Sequence, residues 1–198
     1  MSYATKVLIL LCTILLPVLS LAQNCSANIF NTTPTPTPSL ISSRFKNEGE
    51  PAATTALDLL RNPNVKVPDG TLLDTKTGRL WKKCSEGQMA SGCSGSPVKY
   101  TREQALEQAQ KANNTKFAGY RDWRVPTIKE FTGITERKCI QPAINLSLFA
   151  NTPSDLYWTS EPYSYYANHA WYYNFVYGYA DYSLSQDNLY NVRLVRGP

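Results

Sequence analysis

The stretch Phe117-Ala-Gly-Tyr-Arg-Asp-Trp-Arg-Val-Pro-Thr-Ile-Lys-Glu-Phe131 constrains the fold of this chain more than any other. A glycine turn at Gly119 ends one element. Trp123 and Val125 then alternate with Asp122 and Arg124, the pattern of a short strand with one buried face. Pro126 stops it, and the residue before a proline favours extended backbone. Thr127 with Glu130 three positions on is a capping box, which predicts a helix from about Ile128 to Glu136. Upstream, Thr101 with Gln104 caps another predicted helix, Arg102 to about Asn113. Its Ala105, Leu106, Ala109 and Ala112 recur at three to four residues as an apolar stripe.

Strands flank the helical middle. Val67-Pro-Asp-Gly70 is a turn signal, and Thr71 to Trp81 reads as a β-hairpin turning at Asp74 to Gly78. Gln141 to Phe149 is loop-like, anchored by Ile144, Leu146 and Phe149. Beyond it, Tyr157 to Ser160, Ala170 to Val176, Tyr179 to Ser183 and Tyr190 to Val195 read as strands. In the second of these, Trp171, Tyr173 and Phe175 alternate with Tyr172 and Asn174. Two helices packed on antiparallel strands and hairpins make an α+β domain. Trp81, Trp123, Arg124, Trp158 and Trp171 are the expected scaffold residues.

The two ends of the chain bound what it can do. Lys6, the apolar run Val7 to Leu21 and the small residues Ser20 and Ala22 read as a signal peptide over residues 1–22, too short for a membrane span. Residues 23–43 form an arm around Thr32-Thr-Pro-Thr-Pro-Thr-Pro-Ser39, either a spacer or a strap over the domain. Residues 44–198 form a single domain. Thr54 to Leu60 reads as a short helix within it. The destination is then secreted, periplasmic or cell-surface. Four cysteines remain after the signal, and four allow three connectivities. The short Gly- and Ser-rich loop favours Cys84–Cys93, which leaves Cys25–Cys139.

Charge excludes one partner class. The last 48 residues hold two arginines against four acids, whereas Gln23 to Ala150 carries +6. A weakly basic body with a weakly acidic aromatic end is not the surface of a nucleic-acid binder. An enzyme is not expected either. His169 is the sole histidine, no Gly-x-Ser-x-Gly elbow is present, and Asp122 and Glu130 have duties as turn partner and cap. No cofactor or metal is implied; Glu161-Pro162 followed by Tyr163 is only a weak calcium hint.

The conspicuous excess is tyrosine: ten of thirteen lie after Asn151. Tyrosine hydroxyls need partners when buried, and tyrosine gives large rigid contact area at low entropy cost. Two readings stand, a recognition surface and a cover for a sheet poor in aliphatics. The recognition reading draws on Tyr163, Tyr165, Tyr166, Asn168, His169, Tyr172, Asn174, Tyr177, Tyr179, Asp181, Tyr182, Asn188 and Tyr190.

An ordered set of motifs carries a resemblance. It comprises Asp74-x-x-Thr77-Gly78-x-Leu80-Trp81-Lys-Lys-Cys84-x-x-Gly87-Gln88, then Phe117-Ala-Gly-Tyr-x-Asp-Trp-Arg-Val-Pro-Thr-Ile-Lys-Glu130. Pro142-Ala-Ile-Asn145, Phe149-x-Asn-Thr-Pro153, Tyr157-Trp-Thr-Ser160 and Val192-Arg-Leu-Val-Arg-Gly197 follow. Over about Thr71 to Gly197 the chain resembles the C-terminal domain of the bacterial collagen-like Lcl adhesins. The resemblance implies a C-type-lectin-like fold related to the sulfatase-modifying-factor group, and exported proteins of which some bind sulfated glycosaminoglycans and promote attachment. The chain departs from the pattern in lacking a collagen-like repeat and in keeping only Asp69-Gly-Thr71 of an Asn-Gly-Asp-Gly-Thr stretch. Glu161-Pro162 leads to Tyr163, so calcium-dependent sugar binding is not implied. Tyr163 to Tyr190 is also similar in composition and position to lectin-fold proteins diversified by retroelements. The expected function is an exported ligand-binding or adhesion module that holds a glycan or a surface protein on its tyrosine-rich face. The alternatives are a structural envelope protein and a diversified receptor-binding protein.

Overall fold

A computed structural model describes residues 44–49, 66–89 and 92–197. The signal peptide, the arm and the helix expected over Thr54 to Leu60 lie outside the described residues. Among those described are two α-helices, α1 (Arg102–Asn114) and α2 (Ile128–Ile134), and two antiparallel sheets. One sheet has the order β1 (Phe45–Asn47), β2 (Thr71–Asp74), β3 (Leu80–Lys82), β7 (Val195–Arg196). The other runs β4 (Leu156–Pro162), β5 (Ala170–Asn174), β6 (Tyr179–Ser183). Among the described residues no helix is long and apolar enough to cross a membrane.

Local chemistry starts and stops these elements. Both helices begin with complete capping boxes, Thr101 with Gln104 and Thr127 with Glu130, so two otherwise orphaned N–H groups at each start have partners. The Glu161 carboxylate adds a further acceptor, 3.0 Å from the Ile128 N–H. In α1 the buried face is Ala105, Ala109 and Ala112, while Leu106 points outward at 41% exposure, so the expected stripe loses one member. β5 ends at Asn174, two residues before Val176, because the Asn174 side chain accepts the Val176 N–H at 2.8 Å and bends the chain. Gly178 then turns with φ +80°, where a Cβ would lie 2.8 Å from Thr135 Cγ2.

Two expected strands are reduced to isolated bridges. Asp122 to Val125 forms no strand: Arg124 exchanges backbone hydrogen bonds of 2.9 and 3.0 Å with Val195, and Trp123 and Val125 are buried on either side of it. Tyr190 to Val195 contributes isolated bridges, Tyr190 to Tyr100 and Asn191 to Tyr157, before β7 begins.

The β4–β6 sheet is covered on both faces. Tyr157, Tyr173 and Phe175 join Trp81, Phe131, Ile134 and Phe149 in one core, against α2 and the other sheet. Trp158 and Ala170 join Ala105, Ala109, Trp123 and Val125 in a second core, against α1. Alternation along β4 and β5 sends neighbouring residues to opposite cores. The opening stretch thus supplies Trp123 and Val125 to one core and Phe131 to the other.

Ion pairs lock this stretch to the chain end. Arg124 grips Glu130 through two hydrogen bonds of 2.8 and 2.7 Å and reaches the Gly197 carbonyl, while Arg79 approaches the same carboxylate at 2.6 Å. Burial works against the charged form of Glu130; the bonds from Arg124 and the Thr127 N–H overcome it and hold its pKa at about 2. Asp122 pairs instead with Arg196 at 2.7 Å, so the two acids of the stretch do not meet. Arg193 is fully buried: it donates to the carbonyls of Lys82 and Lys83 and to Thr152 Oγ1, and lies over the Phe149 ring. Cys84 and Cys93 form a disulfide. Cys139 is buried and disulfide-bonded, and its expected partner, Cys25, lies outside the described residues.

Candidate functional site

The tyrosines after Asn151 divide into four environments. Tyr157 and Tyr173 are core. The Tyr157 hydroxyl meets Ser85 Oγ at 2.6 Å, and that of Tyr173 meets Thr135 Oγ1 at 2.6 Å and donates to the Gly178 carbonyl at 3.0 Å. Their burial is therefore hydrogen-bonded, as buried phenols require.

Tyr172 and Tyr190 close the edge of the second core. The Tyr190 ring lies 4.5 Å from that of Trp158 and 5.2 Å from that of Tyr172. Burial first, and the Asp181 carboxylate next, push the Tyr172 phenol up to about 12. Asn188 is exposed and donates to Ser183 Oγ at 2.8 Å beside them. Asn174, one of the expected ligand-binding residues, is buried and committed to the Val176 N–H, away from the exposed surface. Asp181 accepts the N–H of Tyr182 at 2.8 Å.

Tyr177 and Tyr179 stand apart at the β5–β6 turn, both exposed, with parallel rings 6.4 Å apart.

The remaining rings converge. Tyr163 stacks on Tyr182 with centroids 4.5 Å apart and lies 5.5 Å from Trp171, 5.6 Å from Tyr165 and 5.7 Å from His169. Tyr166 lies parallel to Tyr163 at 6.3 Å and 5.0 Å from His169. Tyr165, Tyr166 and Tyr182 are 82%, 62% and 40% exposed. The β4–β5 loop and the Trp171↔Tyr182 rung build this platform, with exposed Asn168 at its border. The loop is closed at its base by the Tyr163 N–H on the His169 carbonyl, 3.2 Å, and is braced by Gln186, whose side chain donates to the Ala167 carbonyl at 2.6 Å.

Trp171 is one of the expected scaffold residues. It shares the β5 face of core residue Tyr173 and stands two rungs along the ladder, half-buried among the platform rings. The same two-residue spacing would have found it, had the reach of α2 along the strand been known. His169 has ring neighbours on three sides, Tyr163, Tyr166 and Tyr182, and its Nδ1 is buried without a hydrogen-bond partner among the described residues. These contacts suit a packing imidazole among the exposed rings. Trp81, Trp123 and Trp158 are fully buried, and Arg124 holds Glu130. Among the described residues there is no group of three or more His, Cys, Asp or Glu side chains placed to hold a metal ion.

An exposed aromatic platform with amide and hydroxyl groups at its border can stack on flat, partly apolar ligand faces and hydrogen-bond their edges. No curated protein matches the chain. The family model that matches it is described as the Lcl C-terminal domain, over residues 70–196.

Proposed function

Since the chain belongs to the Lcl C-terminal domain family, we propose that it is an exported adhesin-like module that binds glycans on the ring platform around Tyr163. The observation that carries this reading is the platform itself. Six rings gather at one corner of the β4–β6 sheet, and Tyr165, at 82% exposure, projects beyond the rest. A sugar presents a C–H face that an aromatic ring can cover and hydroxyls that tyrosine and asparagine can reach. The family resemblance is what brings sulfated glycosaminoglycans into this reading, and the basic balance of residues 23–150 places any contact with their sulfates on the body of the domain rather than on the rings. A C-type-lectin-like fold is part of the same reading, supported by the α+β arrangement and the family. The Cys84–Cys93 disulfide fits an oxidising, extracytoplasmic location. The reading is of a binder rather than an enzyme, and the ring contacts of His169 support a packing duty for it.

The test is a glycan and surface-protein array probed with the chain and with a Tyr165→Ala/Tyr166→Ala variant. Glycan binding should fall roughly tenfold or more in the variant, since truncating an anchor ring typically costs about 1–2 kcal/mol or more. Undiminished glycan binding would sink the site. Binding to proteins alone would replace the glycan with a surface-protein ligand, and inert arrays would favour an envelope protein without a soluble ligand.

A further inference from the structure

A cavity of about 170 Å³ opens between α1, β3 and the turn at Phe117, lined by residues that include Lys82, Glu86, Tyr100, Gln108, Lys111 and Phe117. None of them belongs to the ring platform. Lys82 and Glu86 are paired at 2.7 Å, with side chains only 16% and 12% exposed. The Lys82 ammonium also rests over the Phe117 ring, 4.3 Å from its centroid. Lys111, in the last turn of α1, is a second basic residue of the lining. Phe117 is held between two residues with left-handed backbone, Lys116 at φ 52° and Ala118 at φ 54°, and its ring meets Trp123 edge-on at 5.4 Å. Such conformations cost about 1–3 kcal/mol each and persist where the surroundings enforce them. At the rim, a Cβ on Gly87 would fall 2.5 Å from the Val98 nitrogen, so no other residue fits without moving that strand of chain.

We propose that this cavity is a second binding site, for a small carboxylate that carries a neighbouring O–H or N–H donor, as α-amino acids and uronic acids do. Lys82 and Lys111 supply cationic donors for the carboxylate. The Glu86 carboxylate and the Tyr100 hydroxyl accept the neighbouring donor, and Gln108 can serve either group. Burial, and then the Glu86 charge, raise the Tyr100 pKa, so the phenol keeps its proton at neutral pH. The Glu86 charge also works against anions that have no donor to offer it, such as sulfate. The volume is below the roughly 300–1,000 Å³ of clefts that take drug-sized ligands, which fits one sugar or one amino acid. The site is independent of the glycan reading at Tyr163.

Amide NMR titrations of the chain with glucuronate, L-alanine, acetate and sulfate test the assignment. Glucuronate, L-alanine or both should give saturable shifts at Lys82, Lys111 and Phe117, and acetate and sulfate should bind at least tenfold more weakly. Which of the two binds identifies the source of the carboxylate. Lys111→Gln, at an exposed position, should weaken binding at least tenfold without changing the melting temperature, and Glu86→Gln should narrow the preference over acetate. Tyr165→Ala should leave the titration unchanged. The proposal is overturned if neither glucuronate nor L-alanine saturates, if acetate or sulfate binds as well, or if Lys111→Gln binds as the parent does.

Discussion

Tyr173 and Tyr182 sit on adjacent strands, on the same face of one sheet, and meet different fates. Tyr173 pairs across from Ala180 and lies 1% exposed, its hydroxyl tied to Thr135 and Gly178. Tyr182 pairs across from Trp171, two rungs along, and is 40% exposed, with its ring stacked on Tyr163. What separates them is the reach of α2: Phe131 packs at 5.4 Å over Tyr173, and the helix does not continue over Tyr182. One residue type thus builds the scaffold where its ring is buried and its hydroxyl fixed, and forms an exposed platform where its ring stacks on a neighbour.

Breaking the scaffold side should have the largest effect. Tyr173→Ala removes a buried ring from the core around Phe131 and should destabilise the domain by about 3–5 kcal/mol, read in urea melts. A loss under about 1 kcal/mol would erase the distinction drawn between the two tyrosines.

Acid offers a second cut through the scaffold. The Glu130 carboxyl titrates near 2 in the folded domain, against 4.5 for the free group. The unfolded chain therefore takes up this proton first as pH falls. The stabilisation is present in full above about pH 5, amounts to roughly 3 kcal/mol, and is lost between there and about pH 2. Glu130→Gln should be less stable at pH 7 and lack that portion of the acid sensitivity. Parallel pH profiles for the two proteins would show that the Arg124–Glu130 lock contributes little.

The smallest stability effect belongs to the platform. Tyr182→Ala loses one stacked ring and should cost about 1 kcal/mol or less, while glycan binding falls several-fold. Stability loss on the scale of Tyr173→Ala would make Tyr182 a core residue and the platform a cover for the sheet.

Much of the scaffold was legible in sequence because its signals are local. The capping boxes, the Asp74–Gly78 hairpin and the Cys84–Cys93 loop each lie within ten residues, and each appears as expected. Features that depend on distant partners were not. Asp122 to Val125 alternates like a strand, yet its one bridge among the described residues is Arg124 to Val195. Asn174 is buried and Trp171 half-buried, because what covers a strand position is set by elements distant in the chain. The cavity joins Lys82 to Lys111, 29 positions apart, with nothing in the spacing to announce it.

The β4–β5 loop has its base pinned by the Pro162↔Ala170 rung and the Tyr163 to His169 hydrogen bond. Closing a somewhat longer loop costs little, because the entropy grows only with the logarithm of its length. Residues 164–168 therefore behave as a socketed cassette. A foreign peptide grafted there would inherit a rigid frame and a flanking tyrosine, and the domain could be re-aimed at a new target without redesigning its interior.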